Sequence, residues 1–181
     1  MKLLIVSDIH GSAYYTKKII DAFERYKCDK LLLLGDILYH GPRNPLPKEY
    51  DPKQVIAYLS PYQDHIIACR GNCDSEVDQM VLPFSITADY QIIPMPKRKL
   101  YMSHGHIYHS EHLPYGIQTD DIFLFGHIHI PLMEKRHNIH ILNPSSISLP
   151  KENNPHTFAI LEDDHFTLLD EHDNILRVYP F

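Results

Sequence analysis

The chain has no tryptophan, only three cysteines, and no apolar run long enough for a membrane span or a signal segment. The opening run Leu3–Val6 reads as a first buried strand. An odd cysteine count without a leader leads us to expect a reduced, cytoplasmic protein rather than a disulfide scaffold. Cys69 and Cys73 have a C-x3-C spacing, but no second pair exists to complete a thiolate zinc site. Basic runs are also absent, and the formal charge is −6, which disfavours tracking along nucleic acid. We find no internal repeat and no low-complexity segment, and 181 residues suffice for one domain, expected over 1–181.

Histidine is what the chain has in excess, with 14 residues. Metal binding is the first explanation to test. For His65, His109, His112, His137, His140, His156, His165 and His172 the ordinary reading holds, as surface or satisfied core residues.

Apolar periodicity divides the chain in two. Strands are expected at Lys2–Val6, Lys30–Leu34 and His65–Ala68, with helices from Ser12 to about Lys27 and from Asp51-Pro52 to Leu59. This βαβαβ half implies parallel pairing with right-handed crossovers. Three prolines keep the 39–50 loop irregular. The second half is β-rich, with short strands at Ile86–Ile93, Lys99–Met102, Ile122–Phe125, Leu132–Lys135, Ile139–Leu142, Thr157–Leu161, Phe166–Asp170 and Ile175–Tyr179. An α/β fold of two packed mixed sheets flanked by helices accommodates both halves.

The polar residues that follow the strands carry the chemistry. They are Asp8 and His10, then Asp36, then Asn72, Cys73 and Asp74, then His104 and His106, then His127 and His129. Ligand sites in layered α/β folds gather at carboxyl ends of strands. Glycine precedes Asp36, Asn72 and His127, which permits tight turns beside a ligand. Asp8 and His10, like His127 and His129, are two apart, so in extended backbone each pair would share a face. Two carboxylates, four imidazoles and one amide form an N/O donor set suited to Mn²⁺, Fe²⁺, Co²⁺, Ni²⁺ or Zn²⁺ and too nitrogen-rich for Ca²⁺ or Mg²⁺. Seven donors exceed the need of one ion, and a bridging carboxylate would let them serve two.

The ordered set D-x-H, G-D, G-N-C-D, H-G-H and G-H-x-H resembles the calcineurin-like phosphoesterases. The resemblance implies a four-layer α-β-β-α fold. It implies Asp8, His10 and His129 on one metal, Asn72, His104 and His127 on a second, and Asp36 between them. A narrower resemblance, to YfcE-type phosphodiesterases, rests on the stretches 35–44 and 70–80 and on Asn143-Pro144-Ser145-Ser146. It implies hydrolysis of a small phosphodiester by a metal-bridging hydroxide, with Mn²⁺ the first-choice ion. It also suggests a homo-oligomer.

Asp36, Asn72, Cys73 and His106 are the candidate catalytic residues. Cys73 stands where many superfamily members carry the histidine assigned to the leaving group, and a thiol is a weak acid there. His106 is the nearby substitute, or else a residue behind the ligands or on the surface. Arg43, Asn44 and His40 would meet substrate or a second subunit. Asp74 would orient a ligand or cap a helix, and Arg70 would form an ion pair. Phosphomonoesterase, dinucleoside-polyphosphate hydrolase and nuclease activities are alternatives. So is the non-catalytic scaffold that the fold forms in membrane-trafficking coats, from which the complete donor set sets this chain apart.

Overall fold

The computed structural model describes residues 1–181. Two mixed sheets pack face to face and are flanked by helices. The first has six strands in the order β11-β10-β9-β1-β2-β3, and the second has five in the order β4-β5-β6-β8-β7. The strands of the first half are β1 (Leu3–Val6), β2 (Lys30–Leu33) and β3 (Ile66–Ala68), all parallel. Those of the second sheet are β4 (Tyr90–Pro94), β5 (Lys99–Ser103), β6 (Ile122–Leu124), β7 (Pro131–Arg136) and β8 (Ile139–Pro144). The C-terminal strands β9 (Thr157–Leu161), β10 (His165–Asp170) and β11 (Ile175–Pro180) return as an antiparallel meander onto β1.

Strand alternation explains the layers. In β1, Leu4 and Val6 face the helices, while Leu3 and Ile5 face the second sheet. Burial on both faces is why β1 and β2 read as unbroken apolar runs. Helix α1 (Ala13–Arg25) is capped by the Ser12 side chain, which accepts the Tyr15 N–H, and buries Tyr15, Ile19, Ile20 and Phe23. Helix α2 (Pro52–Leu59) starts at Asp51 with proline in its first turn and packs on α1. Outside the second sheet, Tyr101, Phe123 and Phe125 pack against Tyr108, Leu113 and Ile117 from the irregular 104–121 segment. The layer over that face is therefore loop rather than regular helix.

Two local expectations fail. The strand expected at Ile86–Ile93 begins only at Tyr90, because Ile86 turns into the helix-side core and its N–H is taken by the Gln79 side chain. A short helix, α3 (Glu76–Val81), was not anticipated, although Ser75 and Asp78 form a reciprocal capping box. No helix is long and apolar enough to cross a membrane.

Candidate active site

The site forms where the carboxyl ends of the strands in both sheets meet. The turns after β1 and β2 run side by side. Asp8 N–H donates to the Gly35 carbonyl, and His10 N–H to the Asp36 carbonyl at 2.8 Å. The second sheet joins through Asp8, whose Oδ2 accepts the Ser7 hydroxyl at 2.5 Å and the His127 N–H at 3.0 Å.

The extended-backbone argument for the Asp8/His10 and His127/His129 pairs is incorrect. All four residues, and Asp36, have φ between 50° and 66°, in the left-handed region. Their side chains converge through tight turns held by cross-loop hydrogen bonds, not through strand alternation. Such strain at non-glycine residues persists where surrounding contacts over-determine it. The glycine expectation is met most clearly at Gly71, where a Cβ would lie 2.1 Å from Asp36 Oδ1 and 2.3 Å from its backbone nitrogen.

Seven residues come together in two overlapping groups. Around Asp8 Oδ1 stand His129 Nε2 at 3.1 Å and His10 Nε2 at 3.6 Å, and these three side chains could hold one ion. Around His104 Nε2 stand Asn72 Oδ1 at 3.0 Å, His127 Nδ1 at 3.3 Å and Asp36 Oδ2 at 3.4 Å. Asp36 Oδ2 also lies 3.8 Å from His10 Nε2, so it reaches both groups. Asp8 Oδ1 is buried without a hydrogen-bond partner. A buried carboxylate oxygen left unpaired is costly unless a cation satisfies it.

The imidazoles are oriented for that task. The Nδ1 atoms of His10, His104 and His129 each face a backbone carbonyl, of Tyr39, Leu34 and Leu149 respectively. Donation there fixes each ring's orientation and aims Nε2 inward, where it can ligate once unprotonated. His127 is the exception and turns Nδ1 inward.

Without metal, the charges rearrange within the cluster. Burial pushes the Asp8 carboxyl up, but the neighbouring His10, His104 and His129 imidazoles outweigh it and hold it well below the usual range. Asp36 is likewise lowered against burial, chiefly by His104. Burial opposes protonation of His104, yet Asp36 and Asp8 raise it to about 9. Burial and the neighbouring His104 lower His127 to about 4.

Other candidates divide. Cys73 lines the cavity with Asp36 and Asn72, and its N–H donates to Asp36 Oδ1 at 2.8 Å. Burial and Asp36 push its thiol up to about 12. Cys69 lies apart in the core between the sheets, so the C-x3-C pair forms no site. His106 packs beside His104, with ring centroids 5.3 Å apart, and is absent from the cavity lining. Arg43 and Asn44 line the cavity and His40 does not. Arg70 pairs with Glu76 at 3.2 Å. Asp74 caps no helix, since Ser75 caps α3; it accepts backbone N–H groups of Gly71, Asp36 and Ile37.

Sequence reasoning used Asn143-Pro144-Ser145-Ser146 only for the resemblance and missed that a sixth strand end supports the site. Near the end of β8, Asn143 donates to the Gly126 carbonyl at 2.8 Å, and beyond the strand Ser146 and Ser148 both donate to the Asp8 carbonyl at 2.8 Å. Their signal was present, because polar residues follow a buried strand there as at the other five. Lys151 was also missed. It enters the cavity because its backbone N–H is anchored on the His129 carbonyl at 3.0 Å.

The calcineurin-like phosphoesterase superfamily domain model matches residues 1–165. The chain belongs to this superfamily. Membership makes it a hydrolase of phosphoric ester bonds, in a family that works with divalent metal ions. Among relatives of this phosphoesterase, it is 43% identical to Phosphodiesterase YfcE of Escherichia coli over 169 residues, which cover 93% of this chain and 91% of YfcE. The solved structure of the E. coli phosphoesterase YfcE superposes with a TM-score of 0.96 at 40% identity, covering 99% of each chain. Vps29 from Entamoeba histolytica shares the fold alone, with a TM-score of 0.65 at 19% identity over 100% of this chain and 99% of that one.

Proposed function

We propose that this phosphoesterase hydrolyses small phosphodiesters at a two-ion centre. Asp8, His10 and His129 would hold one ion, Asn72, His104 and His127 the other, and Asp36 would lie between them. The observation that carries the reading is the partnerless buried Asp8 Oδ1, faced by the Nε2 atoms of His10 and His129. The likeness to Phosphodiesterase YfcE supports the choice of diesters. The N/O donor set suits Mn²⁺, Fe²⁺, Co²⁺, Ni²⁺ and Zn²⁺, and we place Mn²⁺ first. When bound, the ions would supply a hydroxide nucleophile and neutralise charge on the phosphoryl oxygens.

The chain's own residues do the rest. The backbone carbonyls hold the imidazole rings in place, so binding requires loss of the His104 proton but little ring movement. Arg43, Asn44 and Lys151 line the phosphate cavity of about 290 Å³ and would attract and orient an anion. Neither Cys73, with its thiol held up to about 12, nor His106, lowered by burial and His104, is a ready proton donor near neutral pH. The reading therefore favours esters whose leaving groups depart without strong acid assistance. A cytoplasmic setting and self-association belong to the same proposal.

The test is metal stripping, then add-back of Mn²⁺, Ni²⁺, Co²⁺, Zn²⁺ or Mg²⁺, against an aryl phosphodiester and the matching monoester. Metal-dependent diester cleavage that Asp36→Asn abolishes is the expected result. Preference for the monoester would make the protein a phosphomonoesterase. No turnover with any ion would defeat the proposal and revive the scaffold reading.

A further inference from the structure

A second cavity, of about 520 Å³, adjoins the phosphate cavity, and Cys73 lines both. The two differ in chemistry. The phosphate cavity is mainly polar, whereas the second is lined mostly by hydrophobic groups, among them Leu38, Tyr39, Tyr50, Ile56 and Val77, with Lys53 and Asp78 also on its wall. Tyr39 ties it to the metal-binding cluster, because its carbonyl faces His10 Nδ1 at 2.9 Å. Several of these groups are left open to water: Val77 is 66% exposed, Val81 49% and Tyr39 40%. Apolar side chains gathered in a concave, exposed site beside polar groups are the usual make-up of a small-ligand pocket.

We propose that this cavity is a second subsite of the same reaction, which takes an uncharged aromatic or aliphatic ester group of a phosphodiester. The inference rests on the diester reading above. A diester carries two organic groups on one phosphate. With the phosphate in the polar cavity, one organic group would reach the apolar cavity past Cys73, the residue that borders both. A monoester bound for cleavage has its one organic group as the leaving group and leaves the subsite empty, whereas an uncleavable phosphonate can place its single group there. Selectivity then comes from burying apolar surface on that group, which adds affinity in proportion to the area removed from water.

The test varies the non-reacting group and keeps the leaving group constant. 4-Nitrophenyl benzyl phosphate and 4-nitrophenyl methyl phosphate both release 4-nitrophenolate. The Mn²⁺-loaded protein should favour the benzyl diester in kcat/KM by about tenfold, the scale expected for burying a ring. Calorimetric titration with benzylphosphonate and methylphosphonate, which have no ester to cleave, should show a similar ratio. Val77→Asp should shrink both ratios, and its exposed position spares the fold. Ratios near one for the unaltered protein would overturn the subsite. So would a Val77→Asp variant that keeps both ratios but dissociates an oligomer, since a second copy would then cover the cavity. Absence of turnover on either diester with every metal would defeat the diester reading instead, and the phosphonate ratio would still decide whether the cavity binds.

Discussion

The Asp74 carboxylate accepts the backbone N–H of Asp36 at 2.9 Å, so one buried acid fixes the turn that aims another. The same carboxylate takes the Ile37 N–H at 2.9 Å and the Gly71 N–H at 2.7 Å, which ties the turn after β2 to the turn after β3. Asp74→Asn replaces an oxygen acceptor with an amide donor facing an N–H. Metal affinity or activity should fall about 10–100-fold, as for other residues that orient ligands. Asp74→Ala strands buried N–H groups and should cost about 2 kcal/mol or more. Denaturant melts of the metal-free variants, with metal titrations beside them, check both. Unchanged metal affinity in Asp74→Asn would show that the turn holds without this brace.

Gly71→Ala tests the close approach of the two turns. Its Cβ would meet Asp36 at both the backbone nitrogen and Oδ1. Overpacking of this kind costs about 1–3 kcal/mol. Here the displaced group is a metal-facing carboxylate, so metal binding should fail before folding does. Circular dichroism should remain native at 25 °C while the metal titration loses its tight phase.

The pH dependence follows from His104. Its folded pKa, about 9, lies above the ordinary 6.5. Its contribution to the metal-free fold is therefore complete below about 6.5 and lost as pH rises through about 9. Asp8 and Asp36 are lowered, so their contribution is present above the ordinary carboxylate range and lost as acid protonates them. The metal-free chain should melt at its highest temperature between these limits and lose stability towards pH 9. Metal must displace the His104 proton. Apparent affinity should thus rise by up to about tenfold per pH unit between pH 6 and 8, with proton release measurable by calorimetry in two buffers. Affinity flat across that range would show that His104 is already neutral.

Arg43 and Lys151 line the cavity, and neither forms an ion pair with a carboxylate of the chain. Each should serve the substrate anion from the rim. Arg43→Ala and Lys151→Ala should raise KM by about two- to fivefold with little change in kcat, the range of solvent-exposed charge pairs. Added salt should shrink the difference. A fall in kcat with KM unchanged would assign them a role in the chemical step instead.

What the sequence by itself determined is set by local chemistry. Leu3–Val6 and Lys30–Leu33 are apolar at every position facing a layer, so they read as doubly buried strands without any partner in view. Ser12 and Asp51 mark helix starts through their own side chains. The polar residues at five strand ends stand out because a buried strand makes its terminus a predictable place for a site. Only the tertiary structure decided how those residues converge. The left-handed turns at Asp8, His10, Asp36, His127 and His129 are stabilised by hydrogen bonds to chain segments far away in sequence. The ring nitrogen each histidine presents depends on carbonyls such as Leu34, 70 residues before His104, and Leu149, 20 beyond His129. Lys151 and Ser148 reach the site only because β8 ends beside β6 and the following loop folds back over Asp8. Polar residues after a buried strand are visible in the sequence, but which of them enter the site is not, since their energy resides in contacts that exist only after the two sheets have packed.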